Sequence, residues 1–298
     1  MKKVNYTIFT WCVLGCSIQI FAQQPDLKYL NEVPPGTTPK IFAPGKVSKE
    51  NETEFGSVFS NDMTEFFYSA EINGKTETRM MKFENGKWSK PATILFHDNY
   101  SYNDPFLTPD NKKLFFISNR SLTGIGPKKD YDIWYIERLG NKWSAPKNAG
   151  KNINSPKNEY YISFTKNGKM YFSSNRQDSR GENYDIYSSE LKNGEFQPAV
   201  KLGNQINTPF YEADVFIASD ESYVIFSVIN EDGIDSGELY VSFRNGDNTW
   251  TQRKSLGESV NSPSNDFCPY VSPDGKFLFY AREQDIYWVS IDVIKKLR

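Results

Sequence analysis

Residues Phe115–Asn154 read "FFISNRSLTGIGPKKDYDIWYIERLGNKWSAPKNAGKNIN", and Tyr171–Asn207 read "YFSSNRQDSRGENYDIYSSELKNGEFQPAVKLGNQIN". Both run through an aromatic strand, "SNR", a "YDI" opening a second alternating strand, an aromatic–proline step and "IN". Three landmarks of this pattern recur along the chain. A turn followed by an aromatic strand appears as "SNDMTEFFYS" from Ser60, "TPDNKKLFFIS" from Thr108, "TKNGKMYFSS" from Thr165, "ASDESYVIFS" from Ala218 and "SPDGKFLFYA" from Ser272. Turns rich in Asp, Asn and Gly join hairpin strands because they tolerate positive φ. An acid opens a short alternating strand at Asp132, Asp185, Glu238 and Asp285, and an aromatic–proline strand surrounds Trp88, Trp143 and Phe196, with a worn copy at Trp250.

The turn residues Asp62, Asp110, Asn167, Asp220 and Asp274 are 48, 57, 53 and 54 residues apart. A period near fifty with about four short strands per unit is the mark of a propeller blade. The mature chain shows no helical 3.6-residue periodicity. The fold expected is therefore all-β: a propeller of five four-stranded blades, with six as the alternative count. The fifth unit ends at "SIDVIKKLR" without its aromatic–proline strand, and an orphan of that type, "PKIFAPGKV" (Pro39–Val47), stands near the N-terminus. Pairing the orphan with the last blade closes the ring and leaves no open sheet edge there.

At these residues the chain resembles the WD40-like, or PD40, β-propeller repeat family found in TolB propellers. The resemblance rests on "SPDGKFLFYAREQDIYWV" (Ser272–Val289), on the "SNR…YDI" units at Ser118–Ile133 and Ser174–Ile186, and on "INSP" (Ile153–Pro156) and "INTP" (Ile206–Pro209). It covers nearly all of the mature chain and implies a fold more than an activity, because the family includes binding modules and domains attached to enzymes. TolB-like propellers usually carry six blades, one more than counted here.

The composition suits this reading: 298 residues, 24% charged, 15% aromatic, a mean hydropathy of −0.62 and a formal net charge of −2. No basic clustering points to nucleic acid. Lys2, Lys3, the apolar run Ile8–Phe21 and Ala22 read as a secretory signal peptide cut after Ala22, with a lipidated Cys16 as the alternative. The organisation expected is a signal peptide over 1–22, a linker over 23–36 and one propeller domain over 37–298, located in the periplasm or secreted. Beyond the leader only Cys268 remains, so no internal disulfide forms, and a buried apolar thiol is its plain reading.

Catalytic signatures are sparse. His97 is the single histidine, and nothing resembles a nucleophile elbow, a zinc spacing or a phosphate loop. Eight residues before each turn residue stand Glu54, Tyr102, Glu159, Glu212 and Asp266, at the start of the strand that lines a propeller's channel. Carboxylates there suit a cation, a pair for glycoside cleavage, or, as the preferred reading, a fold device accepting backbone N–H groups. Blade two breaks the pattern with Tyr102, and Asp104 and Asp214 share the next repeat position with Gly56, Tyr161 and Cys268. A ligand site would therefore draw on Tyr102, Asp104, Glu159 and Asp214, with His97 nearby. Arg120, Arg176 and Arg282 follow the second strand of three blades, as ion-pair partners of acids such as Asp132, Asp185 or Asp285, or as an anion-binding crown. Trp88, Trp143, Phe196 and Trp250 are read as packing between blades. No cofactor is expected, although the acidic loop Asn230–Glu238 leaves calcium open. The function expected is a monomeric binding module for a protein, peptide or small ligand in the cell envelope, without catalysis or a membrane span. A carbohydrate-active enzyme using the funnel carboxylates is the alternative.

Overall fold

The computed structural model describes residues 26–178, 183–229 and 237–298. The leader read over 1–22, including Cys16, and most of the acidic loop, 230–236, lie outside the described residues.

Five antiparallel sheets form the ring. Their inner strands are Thr53–Phe59, Asn103–Leu107, Glu159–Phe164, Tyr211–Ile217 and Asp266–Val271. Second and third strands follow in hairpin order, and the second strands are almost wholly buried, as in Lys113–Ser118 and Met170–Ser174. Buried on both faces by neighbouring blades, these strands read as near-continuous apolar runs. The outer strand of the first four blades lies just beyond the aromatic–proline landmark, at Ala92–Leu95, Lys147–Asn148, Val200–Lys201 and Lys254–Ser255. The landmark itself turns back on the preceding strands: Phe83 pairs with Trp88 and Arg138 with Trp143, while Leu191 pairs with Phe196. Trp143 packs edge-on against Phe67 of the previous blade, at 6.2 Å, and Phe196 against Phe115, at 6.0 Å.

In the fifth blade the outer strand is Lys40–Ile41, paired with Trp288 and Tyr287. Phe42 N–H also donates to Ile286 O, and Ser290 N–H to Gly36 O. The sheet is completed by the front of the chain. Residues 26–36, expected as part of a linker, are packed on the ring: Tyr29 is fully buried and donates its hydroxyl to Asp274, at 2.6 Å.

Blades are stitched at their inner edges. The first-strand N–H groups of Glu54, Glu159, Glu212 and Asp266 donate to Gln284, Tyr131, Tyr184 and Gly237, each in the blade before. Tyr102 donates instead to Thr76 Oγ1. Every inner strand then carries a register shift. The residue two beyond the stitched one has left-handed backbone in all five blades: Gly56 (φ 53°), Asp104 (50°), Tyr161 (45°), Asp214 (49°) and Cys268 (51°). Four non-glycine residues held there amount to repeated backbone strain, a feature that concentrates at functional sites.

Candidate site at the channel mouth

The bulge splits the two carboxylate rows that simple alternation would place together. Glu54, Glu159, Glu212 and Asp266 are fully buried and do not ring an open mouth. Their own loops occupy them. Glu159 accepts from Ser155 N–H and Oγ at 3.0 and 2.6 Å, Glu212 from Thr208 at 2.8 and 2.5 Å, and Asp266 from Ser262 at 2.7 and 3.0 Å. The preceding asparagines, Asn154, Asn207 and Asn261, each clamp the N–H and C=O of one residue in their own third strand: Ile133, Ile186 and Leu239. The "N-S/T-P" repeat is thus a structural clasp.

Arginines neutralise three of these acids. Arg176 meets Glu159 at 3.1 Å, Arg282 meets Asp266 at 2.7 Å, and Arg253, unmarked in the sequence, meets Glu212 at 2.7 Å. The partners of Arg176 and Arg282 are therefore first-strand acids rather than Asp185 or Asp285. Asp185 instead bonds to Lys201, and Asp132 to Lys129 and Asn148. In blade two, where Tyr102 replaces the acid, Arg120 lies over the Trp134 ring at 4.6 Å. Glu54 has no arginine; burial first, with smaller contributions from Glu52 and Asp285, pushes its carboxyl up to about 8.

This contrast sets a prediction. Arg282→Met strands a buried carboxylate and should cost about 3 kcal/mol, whereas Arg120→Met, beside a tyrosine, should cost clearly less. Urea melts at pH 7 compare the two; equal costs would show that the arginines act through packing alone.

The second row meets on the axis. Cys268 Sγ approaches Asp104 Oδ1 at 3.5 Å, and Cys268 N–H donates to Asp214 Oδ2 at 3.3 Å. Tyr161 donates its hydroxyl to Pro269 O at 2.9 Å. Contacts between blades two and five, and between three and five, are contacts across the ring. A Cβ on Gly56 would lie 2.5 Å from Asp104 Oδ1, so the bare glycine makes room for that carboxylate. Asp104 is only 7% exposed, while Asp214 is partly exposed. Burial, then the Asp214 charge, pushes Asp104 up to about 8; burial pushes Asp214 up to about 6, against the Cys268 N–H. Burial likewise raises the Cys268 thiol.

Below this level Phe106 and Phe216 each meet the Tyr270 ring, with centroids 5.9 Å apart, and floor the channel. A cavity of about 650 Å³ opens beyond the floor, toward Lys166 and Arg298. Above the aspartates rises an aromatic collar: Tyr131, Tyr160, Tyr184 and Tyr211 stand in a chain of ring contacts at 5.1, 5.5 and 5.2 Å, and Phe55 faces Phe267 at 6.3 Å. Asn103 holds the collar position of Phe55, Tyr160 and Phe267 in its blade, and its side-chain oxygen is buried without a donor.

Of the sequence candidates, the structure joins Asp104 and Asp214, adds Cys268 and Tyr161, and seals Tyr102 and Glu159 inside their blades. His97 stacks on Tyr100 at 4.6 Å and accepts from Asn99 N–H within its own loop. Among the described residues no group of three or more His, Cys, Asp and Glu side chains is disposed to hold a metal ion, and no helix is long and apolar enough to cross a membrane.

No family profile matches the chain, and no curated protein matches its sequence. Solved structures do. TolB from Acinetobacter baumannii superposes with a TM-score of 0.54 at 15% identity, over 83% of this chain and 54% of that one. A putative TolB from Agrobacterium tumefaciens gives 0.50 at 14% identity, over 80% and 73%. A Dyadobacter fermentans protein of unknown function gives 0.52 at 13%, over 86% and 83%. The chain spans about half the length of the Acinetobacter protein. At these identities the likeness is one of fold: the chain is a β-propeller similar in fold to these TolB structures.

Proposed function

We propose that the chain is an exported propeller that binds a ligand at the channel mouth, in the periplasm or outside the cell, with no catalytic activity of its own. The basic, apolar leader supports export. One observation carries the binding role. A repeat position with common backbone geometry holds a glycine, two aspartates, a tyrosine and a cysteine, and among the described residues the two carboxylates have no counter-ion. Three of the first-strand acids, Glu159, Glu212 and Asp266, are by contrast spent on their loops and arginines. The ligand belongs to a protein, peptide or small molecule of the envelope. Thermal shift measurements against a peptide and metabolite library test this: ligands should raise the melting temperature of the wild type and leave Asp104→Asn/Asp214→Asn unmoved. Ligands that stabilise both equally would remove the site from the channel.

One observation favours glycoside cleavage as a second reading: two neighbouring carboxyls pushed to about 8 and about 6 resemble an acid and a base with separated pKa values. Turnover of nitrophenyl glycosides, lost in the same double variant, would establish it.

A further inference from the structure

Resting on that site, we propose that the ligand presents a primary ammonium group, as on a lysine side chain or a free polyamine, which descends through the tyrosine collar onto Asp104 and Asp214. Three independent features of the channel converge on this chemistry.

The first is charge without compensation. Asp104 is nine-tenths buried, and among the described residues its carboxylate meets no N–H or O–H donor, only the Cys268 thiol. Asp214 accepts one long bond from Cys268 N–H. The arginines nearest in the repeat are committed elsewhere: Arg176, Arg253 and Arg282 to first-strand acids. A carboxylate pair left in this state takes up a proton or a cation.

The second is the wall. Tyr131, Tyr160, Tyr184 and Tyr211 line the approach, with Phe55 and Phe267 opposite. Aromatic faces attract organic cations through their quadrupole, but they supply no ligands to calcium, which takes six to eight oxygens. An aqueous metal ion would shed its water for two carboxylates and a ring of carbon.

The third is the count of acceptors. An ammonium group has three N–H donors. The two carboxylates accept such donors, and Asn103, the residue before Asp104 in its inner strand, adds a buried side-chain oxygen without a donor. The floor of Phe106, Phe216 and Tyr270 ends the channel beneath them, so the group arrives terminally, at the tip of a chain.

Isothermal titration calorimetry on the full chain at pH 7.5 tests this with four probes. They are Nα-acetyl-lysine methylamide, putrescine, the neutral Nα-acetyl-norleucine methylamide, and calcium chloride. One or both amines should bind, with at least ~tenfold weaker binding in Asp214→Asn and in Asp104→Asn, where one ionic partner is removed. Tyr160→Leu, which keeps both charges, should weaken binding by a smaller factor. Binding should release protons, seen as heats that vary with the buffer, because a cation favours the ionised aspartates. Preference for the lysine derivative identifies a protein side chain as the source, and preference for putrescine a free polyamine. Binding of norleucine equal to lysine, or of calcium in place of either amine, overturns the ammonium assignment while leaving the site intact. Amine binding unchanged in both aspartate variants overturns the site as well.

Discussion

A chain lacking residues 37–48 should show no cooperative unfolding transition and should aggregate, because the fifth blade loses its outer strand and the ring its clasp. The segment does more than pair two residues. Phe42 is fully buried between the first and last blades, with ring centroids 6.2 and 5.3 Å from Phe59 and Phe66 and 5.0 and 5.2 Å from Phe279 and Trp288. Ala43 and Val47 are fully buried beside it. Removing them opens a sheet edge and a core seam at once. A milder version separates the core from the edge. Phe42→Ala keeps the backbone pairing and should cost ~3–5 kcal/mol, a fall of roughly 10 °C in melting temperature for a domain of this size. A deletion variant that melts at the wild-type temperature would mean that the ring closes elsewhere.

The second large effect runs the other way. Asp104 and Asp214 should make the protein less stable as pH rises, and Asp104→Asn/Asp214→Asn should relieve the loss. Both carboxyls hold their protons more tightly folded, at about 8 and about 6, than in an unfolded chain near 3.8. The folded state therefore gains nothing from their ionisation. Their contribution is intact below about pH 4 and is lost progressively as pH climbs through 6 to 8. At pH 8.5 the double variant should be more stable than wild type by several kcal/mol, while at pH 4 the two should be alike. Urea denaturation at both pH values measures this. A site kept at such a cost to stability is the usual trade between stability and activity. A bound ammonium group would offset the same penalty, so ligand should steepen in its effect as pH rises.

The blades were legible in the sequence because turn chemistry and aromatic strands recur with a period the eye can follow, and the closure because one landmark is missing at the end and spare at the front. The outer strands were displaced by a few residues, since the "KW" pairs look like strands and are instead the return leg of a hairpin, with the pairing edge just past the proline. Residues 26–36 carry none of the repeat landmarks, so the burial of Tyr29 was hidden in a stretch that reads as a tether.

The site was half legible. Alternation put Glu54, Glu159, Glu212 and Asp266 on the same lining as Asp104 and Asp214, but a left-handed residue in every inner strand sends the two rows to different places. A backbone bulge repeated in all five blades has no residue signature when glycine, aspartate, tyrosine and cysteine all occupy it. The informative signal is the reverse of repetition. Positions that keep one residue type build the ring, and the position that varies freely on a fixed backbone faces the axis. Cys268 and Tyr161 then belong with the aspartates, and the partner of Arg176 and of Arg282 is the acid its own blade buries.

The most direct test is a carbon-13 NMR titration of the aspartate side chains. The wild type should show two carboxyl resonances that titrate as a coupled pair well above the ordinary aspartate range, near 6 and near 8. Both should be altered by Asp104→Asn and by Asp214→Asn. A wild-type chain in which every aspartate is fully ionised by pH 5 would contradict an uncompensated acidic pair in the channel, and with it the binding site proposed there.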